Sequence, residues 1–467
     1  MNKDLRGFLK QVEALGPDFY ARVERPLDPV YEPCVIQQKL AAAGRYPVLR
    51  CDRITGSELP LVTNLFGSYD LLGLALGVQP GEPKGKILDT FRRRVAKPIP
   101  TTTVGRDQAP IKQVVWRGDQ VDLGRLPILK HAEKNSGKYF TIAFLVLRDP
   151  DTGVINAGVY RHEVKSRNSI ACMFNPAHHA AYIYRRCQEL GRPMEAVLVA
   201  GHHPAAVIGS LARGPMESDE FEIMGALMEQ SMAVVPAETV DLPVPAWAEI
   251  AIEGVLDPSR ETSDGPFSEY TGFYGPAKDP VGLMTINAIT MRGDAIYHDL
   301  DPSHREHNLA GALTFESSVF ENVRNLVPTV TGVYMPPSGG CVFTAYVKIR
   351  KRVAGEGKSA GLAAIAAEPN LKMVVVVDDD IDIHNEEQVW WAVATCCEAD
   401  RDLTIIPNAM GAHLNPSAYG EIRHQKGHMN TKMVIDATRP VTLPFAEKIV
   451  PPREAWERMR LEDYLVR

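Results

Sequence analysis

The sequence predicts an α/β (α+β) chain in three parts: an N-terminal α/β segment, a central β-barrel decorated with helices, and a C-terminal α/β layered domain with a terminal helix. Three observations predict it. A chain of 467 residues is too long for one core. Between about 110 and 310, the stretches KQVVWRG, YFTIAFLVLRD, GVINAGVYRHEV and SIACMF set β-branched and aromatic residues between turn signals. After about 325 the pattern becomes strand, helix, strand, helix, strand: FTAYVKIR, KSAGLAAIAA, KMVVVVDD, EEQVWWAVATCCEA and DLTIIP.

Taken in order, residues 1–105 open with a helix carrying Leu5, Phe8, Leu9, Val12 and Leu15 on one face. The strand-like pieces YPVLRCDRI and LPLVTNLFG follow, and KPIPTTTVGRDQAP reads as a linker. In the barrel part, 106–320, DPDTG is a hairpin turn. In NPAHHAAYIYRRCQELG, Asn175 is the expected N-cap, Pro176 the first helical residue and Gly191 the stop. AVLVAGHHPAAVIGS reads as a buried strand and a turn, and SDEFEIMGALMEQ as a helix capped by Ser218. Residues 321–440 form the layered domain. In the tail, 441–467, EAWERMRLEDYLVR reads as an amphipathic helix able to dock on a partner subunit.

Composition narrows the function. A net charge of −7 argues against a nucleic-acid binder, and no apolar run is long enough to span a membrane. Seven scattered cysteines make no disulfide framework, and the N-terminus lacks an apolar signal region; both point to a reducing cytoplasm. Walker A, GxSxG, HExxH and CxxC motifs are absent from the sequence.

Four constellations carry chemical potential. In SDGPFSEYTG, Asp264 and Glu269 flank a Gly-Pro turn. Two acids facing one pocket repel, so one keeps its proton and serves as a general acid. A polar surface turn is the plainer reading, and Phe267, Tyr270, Phe273 and Tyr274 weigh against it. In NAGVYR, Asn156 and Arg161 fall on opposite faces of a regular strand unless a bulge re-aims one. His178 and His179 stand at a helix start, where an anion or a metal would be at home, and Glu220 stands at another. HDLDPSHREHN gathers His298, His304, Arg305 and His307, a set suited to a carboxylate or hydroxyl. Each set also has a plain structural reading as a solvated loop or a cap. The acidic run DDDIDIHNEE reads as a solvated connection capped by Asn385.

Together and in this order, YFTIAFLV, INAGVYR, NPAHH, SDEFEIMG and SDGPFSEYTGFYG resemble the UbiD family of reversible decarboxylases. The resemblance extends through LPILKH and FTAYVKIRKR and covers most of the chain from about 85 onward. It implies that the central domain is a split β-barrel that binds prenylated FMN. It implies Arg161, Asp264 and Glu269 as the catalytic Arg–acid–acid set, with Asp264 standing where many relatives carry Glu. Asn156, His179 and Glu220 are implied ligands of Mn²⁺, with Asp219 and Glu222 as close neighbours of the last. A K⁺ ion would sit near Ser210 and Glu220. Thr141, Val159, Tyr160, Met173, Phe174, His178, Ser210 and Leu211 match positions around the flavin. The implied reaction is loss of CO₂ from a small unsaturated, aromatic or heteroaromatic acid through a covalent adduct with the cofactor, Glu269 donating the proton. The polar content of His298, His304 and Arg305 favours a furan-2,5-dicarboxylate type of substrate. A flavin prenyltransferase would supply the cofactor, and a homodimer or higher homo-oligomer such as a hexamer is implied. A flavin-dependent oxidoreductase and a non-catalytic flavin or metal subunit remain alternatives.

Overall fold

The computed structural model describes residues 3–176, 178–412, 414–418 and 429–465. At its centre lies a nine-stranded sheet, antiparallel at every pairing, which curls into the split barrel that the strand-rich region foreshadows. Its order runs Tyr139–Phe140, His162–Ser166, Ser169–Cys172, Lys278–Met291, Ile250–Asp264, Met194–Ala200, Phe144–Arg148, Ile155–Val159, with Val114–Arg117 paired onto Lys278–Met291. The two longest strands, Ile250–Asp264 and Lys278–Met291, form a hairpin whose register shifts at Glu253/Gly254 and again between Leu256 and Glu261. Such bulges bend and twist a strand pair. The tip of this hairpin holds the stretch with the two acids. The turn expected at DPDTG joins Phe144–Arg148 to Ile155–Val159.

Beside the barrel stands a four-stranded sheet, Tyr20–Val23, Val48–Cys51, Leu61–Thr63 and Tyr297–His298. Its last strand comes from far along the chain. The C-terminal layer is a five-stranded sheet whose inner strands, Thr344–Ile349, Met373–Asp378 and Met429–Ala437, run parallel. Helices Glu356–Ala367 and Glu386–Cys396 cover it, as the alternating pattern requires. Asn385 caps the second by accepting from Glu387 N at 3.1 Å. The stretch read as a linker is fastened: Thr102–Thr103 pairs with Ala233–Val234, and Ile99 N donates to Glu222 O at 3.1 Å. The 22-residue helix Arg305–Leu326 runs continuously through residue 320 and joins barrel to C-terminal layer.

Four local expectations are corrected. The helix at NPAHH begins at His179; His178 holds extended backbone (φ −97°, ψ 152°) and takes the cap position in place of Asn175. HHPAAVIGS is not a turn but the helix Pro204–Gly209, with His203 Nδ1 accepting from Ala205 N at 3.2 Å. Pro204 at the first helical position is its signal in the sequence. Asp219, not Ser218, caps Glu220–Met228 by accepting from Phe221 N at 2.8 Å. The tail forms only the short helix Arg453–Arg458 and a single 3₁₀ turn, Leu461–Asp463, with Trp456 and Leu461 exposed.

Glu316 sits in the long helix at 3% exposure and accepts from Met335 N at 2.9 Å, tying helix to sheet. Burial pushes its carboxyl up to about 8. The folded state therefore holds a proton that the unfolded chain releases near its ordinary value. That contribution is fully present below about pH 4.5 and is lost as pH rises through about 8. Glu316→Gln keeps the acceptor and removes the titration. Its melting temperature should gain on wild type progressively from pH 5 to 8 and run parallel above that, as followed by calorimetry across pH. A constant offset at all pH values would contradict this.

Candidate active site

Arg161 sits where the strand Ile155–Val159 ends and His162–Ser166 begins, and the break at Tyr160–Arg161 removes the parity conflict with Asn156. Arg161 is 9% exposed, and its guanidinium clamps both acids of the hairpin tip. Nε and Nη2 donate to Asp264 Oδ2 at 2.9 and 2.6 Å, and Nη1 donates to Glu269 Oε1. Asp264 is fully buried, its Oδ1 has no partner among the described residues, and Glu269 is 7% exposed. The guanidinium also stands 4.8 Å from the centre of the Phe267 ring, the aromatic between the two acids.

The turn between the acids is built for this. Gly265 takes φ +86°, which only glycine adopts without strain, and its N–H donates to the Tyr139 hydroxyl at 3.0 Å. Asn135 Oδ1 accepts from Ser268 N at 2.8 Å. Gly275 leaves the space that Glu269 occupies: a Cβ there would lie 2.6 Å from Glu269 Oε1. Asn135 and Tyr139 carry no motif signal, and only their place in space reveals them.

Burial raises both acids. For Asp264 and for Glu269 the loss of solvent outweighs the lowering by Arg161. For Arg161, burial opposes the charge, but Glu269 and Asp264 overcome it and raise its pKa. One cation faces two buried acids, so the set is neutral when one of them holds a proton.

A second cluster lies at the other end of the same strand. Glu220 is 4% exposed, accepts from Asn156 Nδ2 at 3.1 Å and from Ala157 N at 3.0 Å, and is pushed up to about 7 by burial. Asn156 Oδ1 is buried without a partner among the described residues. Glu220, rather than Asp219 or Glu222, is thus the acid that meets Asn156. An orphaned carbonyl oxygen beside a buried carboxylate, with no cationic side chain paired to it among the described residues, is a donor set that fits a divalent ion. His179 starts the nearby helix and is half-buried. Tyr160 packs edge-on to Phe174 at 5.4 Å and lies 5.8 Å from the exposed His178 ring. Val159, Tyr160, Met173, Phe174 and Leu211 are each half-buried. Thr141 and Ser210 are turned to backbone: Thr141 Oγ1 donates to Leu300 O and Ser210 Oγ to Val207 O, both at 2.7 Å.

The third cluster lies in the first turn of Arg305–Leu326. His304 caps it, accepting from Glu306 N at 3.2 Å. Arg305 stacks 4.7 Å from the centre of the Tyr46 ring, and its Nε is buried with no acceptor among the described residues. His298 is 1% exposed in the strand Tyr297–His298, unpaired at both nitrogens among the described residues, and burial pushes it down to about 3. His307 packs against Tyr270 at 5.8 Å, and Tyr270 follows Glu269 directly. That contact brings this turn to the acid pair.

Comparison with known proteins identifies the arrangement. Residues 102–305 match the 3-octaprenyl-4-hydroxybenzoate carboxy-lyase Rift-related domain, 307–437 its C-terminal domain and 18–90 its N-terminal domain. The chain belongs to the UbiD family of carboxy-lyases. An anhydromevalonate phosphate decarboxylase from Methanothermobacter thermautotrophicus is 34% identical over 84% of this chain and 88% of its own. The UbiD-class enzyme HmfF from Pelotomaculum thermopropionicum, solved in complex with FMN, is 37% identical with a TM-score of 0.91, covering 99% of this chain and 100% of that one. An evolved dimeric form of HmfF in complex with prenylated FMN (prFMN) is 35% identical with a TM-score of 0.87 over the same shares. As a UbiD carboxy-lyase, the chain leaves the oxidoreductase and carrier readings behind.

Removing Arg161 would strand two buried acids. Arg161→Met should cost stability on the order of 3–5 kcal/mol at pH 8 and much less at pH 5, where the acids take up protons. Denaturant unfolding at the two pH values measures this, and an equal loss at both would refute the shared-cation picture.

Proposed function

We propose that this UbiD carboxy-lyase catalyses the reversible, non-oxidative decarboxylation of a small unsaturated, aromatic or heteroaromatic acid with prenylated FMN, Glu269 supplying the proton. The observation that carries this is the single guanidinium shared by two buried acids. Departure of CO₂ leaves an electron pair on carbon that must take a proton, so that R–CO₂⁻ + H⁺ gives R–H + CO₂. Glu269 is the less tightly held acid, with one bond to Arg161 against two for Asp264, and is the one that can release a proton toward substrate. Arg161 steadies the substrate carboxylate and balances Asp264.

When bound, prenylated FMN supplies the electron sink for the departing CO₂. The half-buried residues Val159, Tyr160, Met173, Phe174 and Leu211, together with Thr141, His178 and Ser210, would hold its ring system. Asn156, His179 and Glu220 would hold Mn²⁺, and Ser210 with Glu220 a K⁺ ion. HmfF with FMN and with prFMN supports the cofactor, and its dimeric form supports a homo-oligomer. A flavin prenyltransferase in the cytoplasm would supply the cofactor.

For the substrate, the guanidinium of Arg305, which has no carboxylate partner among the described residues, favours an acid with a second anionic group. A furan-2,5-dicarboxylate type meets this, His298 and His304 adding donors. A phosphate monoester on an unsaturated acid meets it too, and the Methanothermobacter relative favours that second reading.

The test is purification with and without a co-expressed flavin prenyltransferase, followed by CO₂ release on furan, pyrrole, hydroxybenzoic and phosphorylated unsaturated acids. Release confined to the co-expressed sample is expected; none from any acid would sink the proposal. Glu269→Gln should lose about 10²–10⁴-fold in kcat while retaining flavin. Because burial raises Glu269, kcat should hold at low pH and fall as pH rises through a value above the ordinary carboxyl range, and the pH–rate profile reads this. Glu220→Ala should abolish retained manganese, measured by elemental analysis.

A further inference from the structure

The helix Glu32–Ala42 belongs to the N-terminal part and carries nothing that the sequence marks for chemistry. Yet Gln37 on it is 2% exposed and faces the first turn of Arg305–Leu326. Its amide nitrogen lies 2.9 Å from His304 Nδ1, 3.1 Å from Glu306 Oε2 and 3.3 Å from Asn64 Oδ1, and its oxygen accepts from the Thr63 hydroxyl at 3.2 Å.

The direction of these bonds is fixed at both ends by backbone. The Pro47 carbonyl can only accept, so Asn64 turns its nitrogen to it, at 2.6 Å, and its oxygen to Gln37. Gln37 must therefore present its nitrogen to Asn64 and to His304. At the far end, Glu306 N–H can only donate, and it donates to His304 Nδ1 at 3.2 Å. With two donors on Nδ1, the proton of the neutral ring sits on Nε2. That Nε2 is buried and meets no acceptor among the described residues. Arg305 Nε, one residue on, is in the same condition. Two buried donors in one helical turn, with no acceptor among the described residues, are suited to an anionic acceptor such as a substrate. Through His307 and Tyr270 the same turn lies against the loop of Glu269.

We propose that Gln37 is a positioning residue of this active site: it locks His304 as an Nε2–H donor that, with Arg305, receives the second anionic group of the substrate. This rests on the decarboxylase reading for the ligand, but the locked tautomer is a property of the chain alone.

The first arm uses the unloaded chain labelled with ¹⁵N-histidine, His304 being assigned by its loss in His304→Gln. Wild type should show His304 as the Nε2–H tautomer alone, and Gln37→Met, which leaves Glu306 N–H as the one donor on Nδ1 among the described residues, should populate the Nδ1–H tautomer beside it. The second arm uses the prFMN-loaded enzyme. Gln37→Met should raise KM for furan-2,5-dicarboxylate about 10-fold, the equivalent of about 1.4 kcal/mol, with kcat within about 2-fold and KM for furan-2-carboxylate unchanged. A merely structural role would move both substrates alike. An Nδ1–H tautomer in wild type, or equal losses on both acids, overturns the proposal. Should Gln37→Met fail to fold, the wild-type tautomer and the same KM split in His304→Gln decide it. A chain that releases no CO₂ from any acid would sink the decarboxylase reading and, with it, the receptor role, whatever the tautomer.

Discussion

Much of this molecule is arranged around one imbalance: a single buried guanidinium, Arg161, facing two buried carboxylic acids. Removing three ionisable groups from water is costly, and one positive charge cannot offset two negative ones. The surroundings hold the imbalance in place. The strand carrying Arg161 breaks just before it, Gly265 lets the hairpin tip double back, and Gly275 clears room for Glu269. Asn135 and the Tyr139 hydroxyl hold the tip by its backbone. A bonded frame of this kind lets a proton stay with an acid inside the protein.

The long helix Arg305–Leu326 links this centre to the other two parts. Its first turn meets the N-terminal helix and sheet through Gln37 and Thr63, and its middle holds the C-terminal sheet through Glu316. Arg213, in the loop after Ser210, reaches Glu368 of the C-terminal layer at 2.6 Å and stacks 4.3 Å from the Phe315 ring on the same helix. The site thus stands where three sheets adjoin.

The architecture was legible in the sequence because its signals are local. Alternating β-branched residues, the DPDTG turn and the run KMVVVVDD each mark an element within a few residues. The acids around Gly265-Pro266 were legible because rigid turns rarely carry two. What escaped depends on distant pairings. The helix Pro204–Gly209 is too short for its period to stand out, and its cap, His203, is an unusual one. Asn135, Tyr139 and Gln37 look like ordinary polar or aromatic residues until the fold sets them beside the hairpin tip and the long helix. The resemblance placed Arg161 and Asn156 at one site where spacing alone opposed it, because a break between two strands has no signature in spacing.

The strand Tyr297–His298 has a consequence for how the chain is made. It completes the N-terminal sheet by pairing in parallel with Leu61–Val62, residues synthesised more than two hundred positions earlier. Until it emerges from the ribosome, Leu61–Thr63 has an open edge, and its apolar residues await cover. The first part of this protein is therefore among the last to be finished, and its assembly is timed by the barrel that must fold between the two strands.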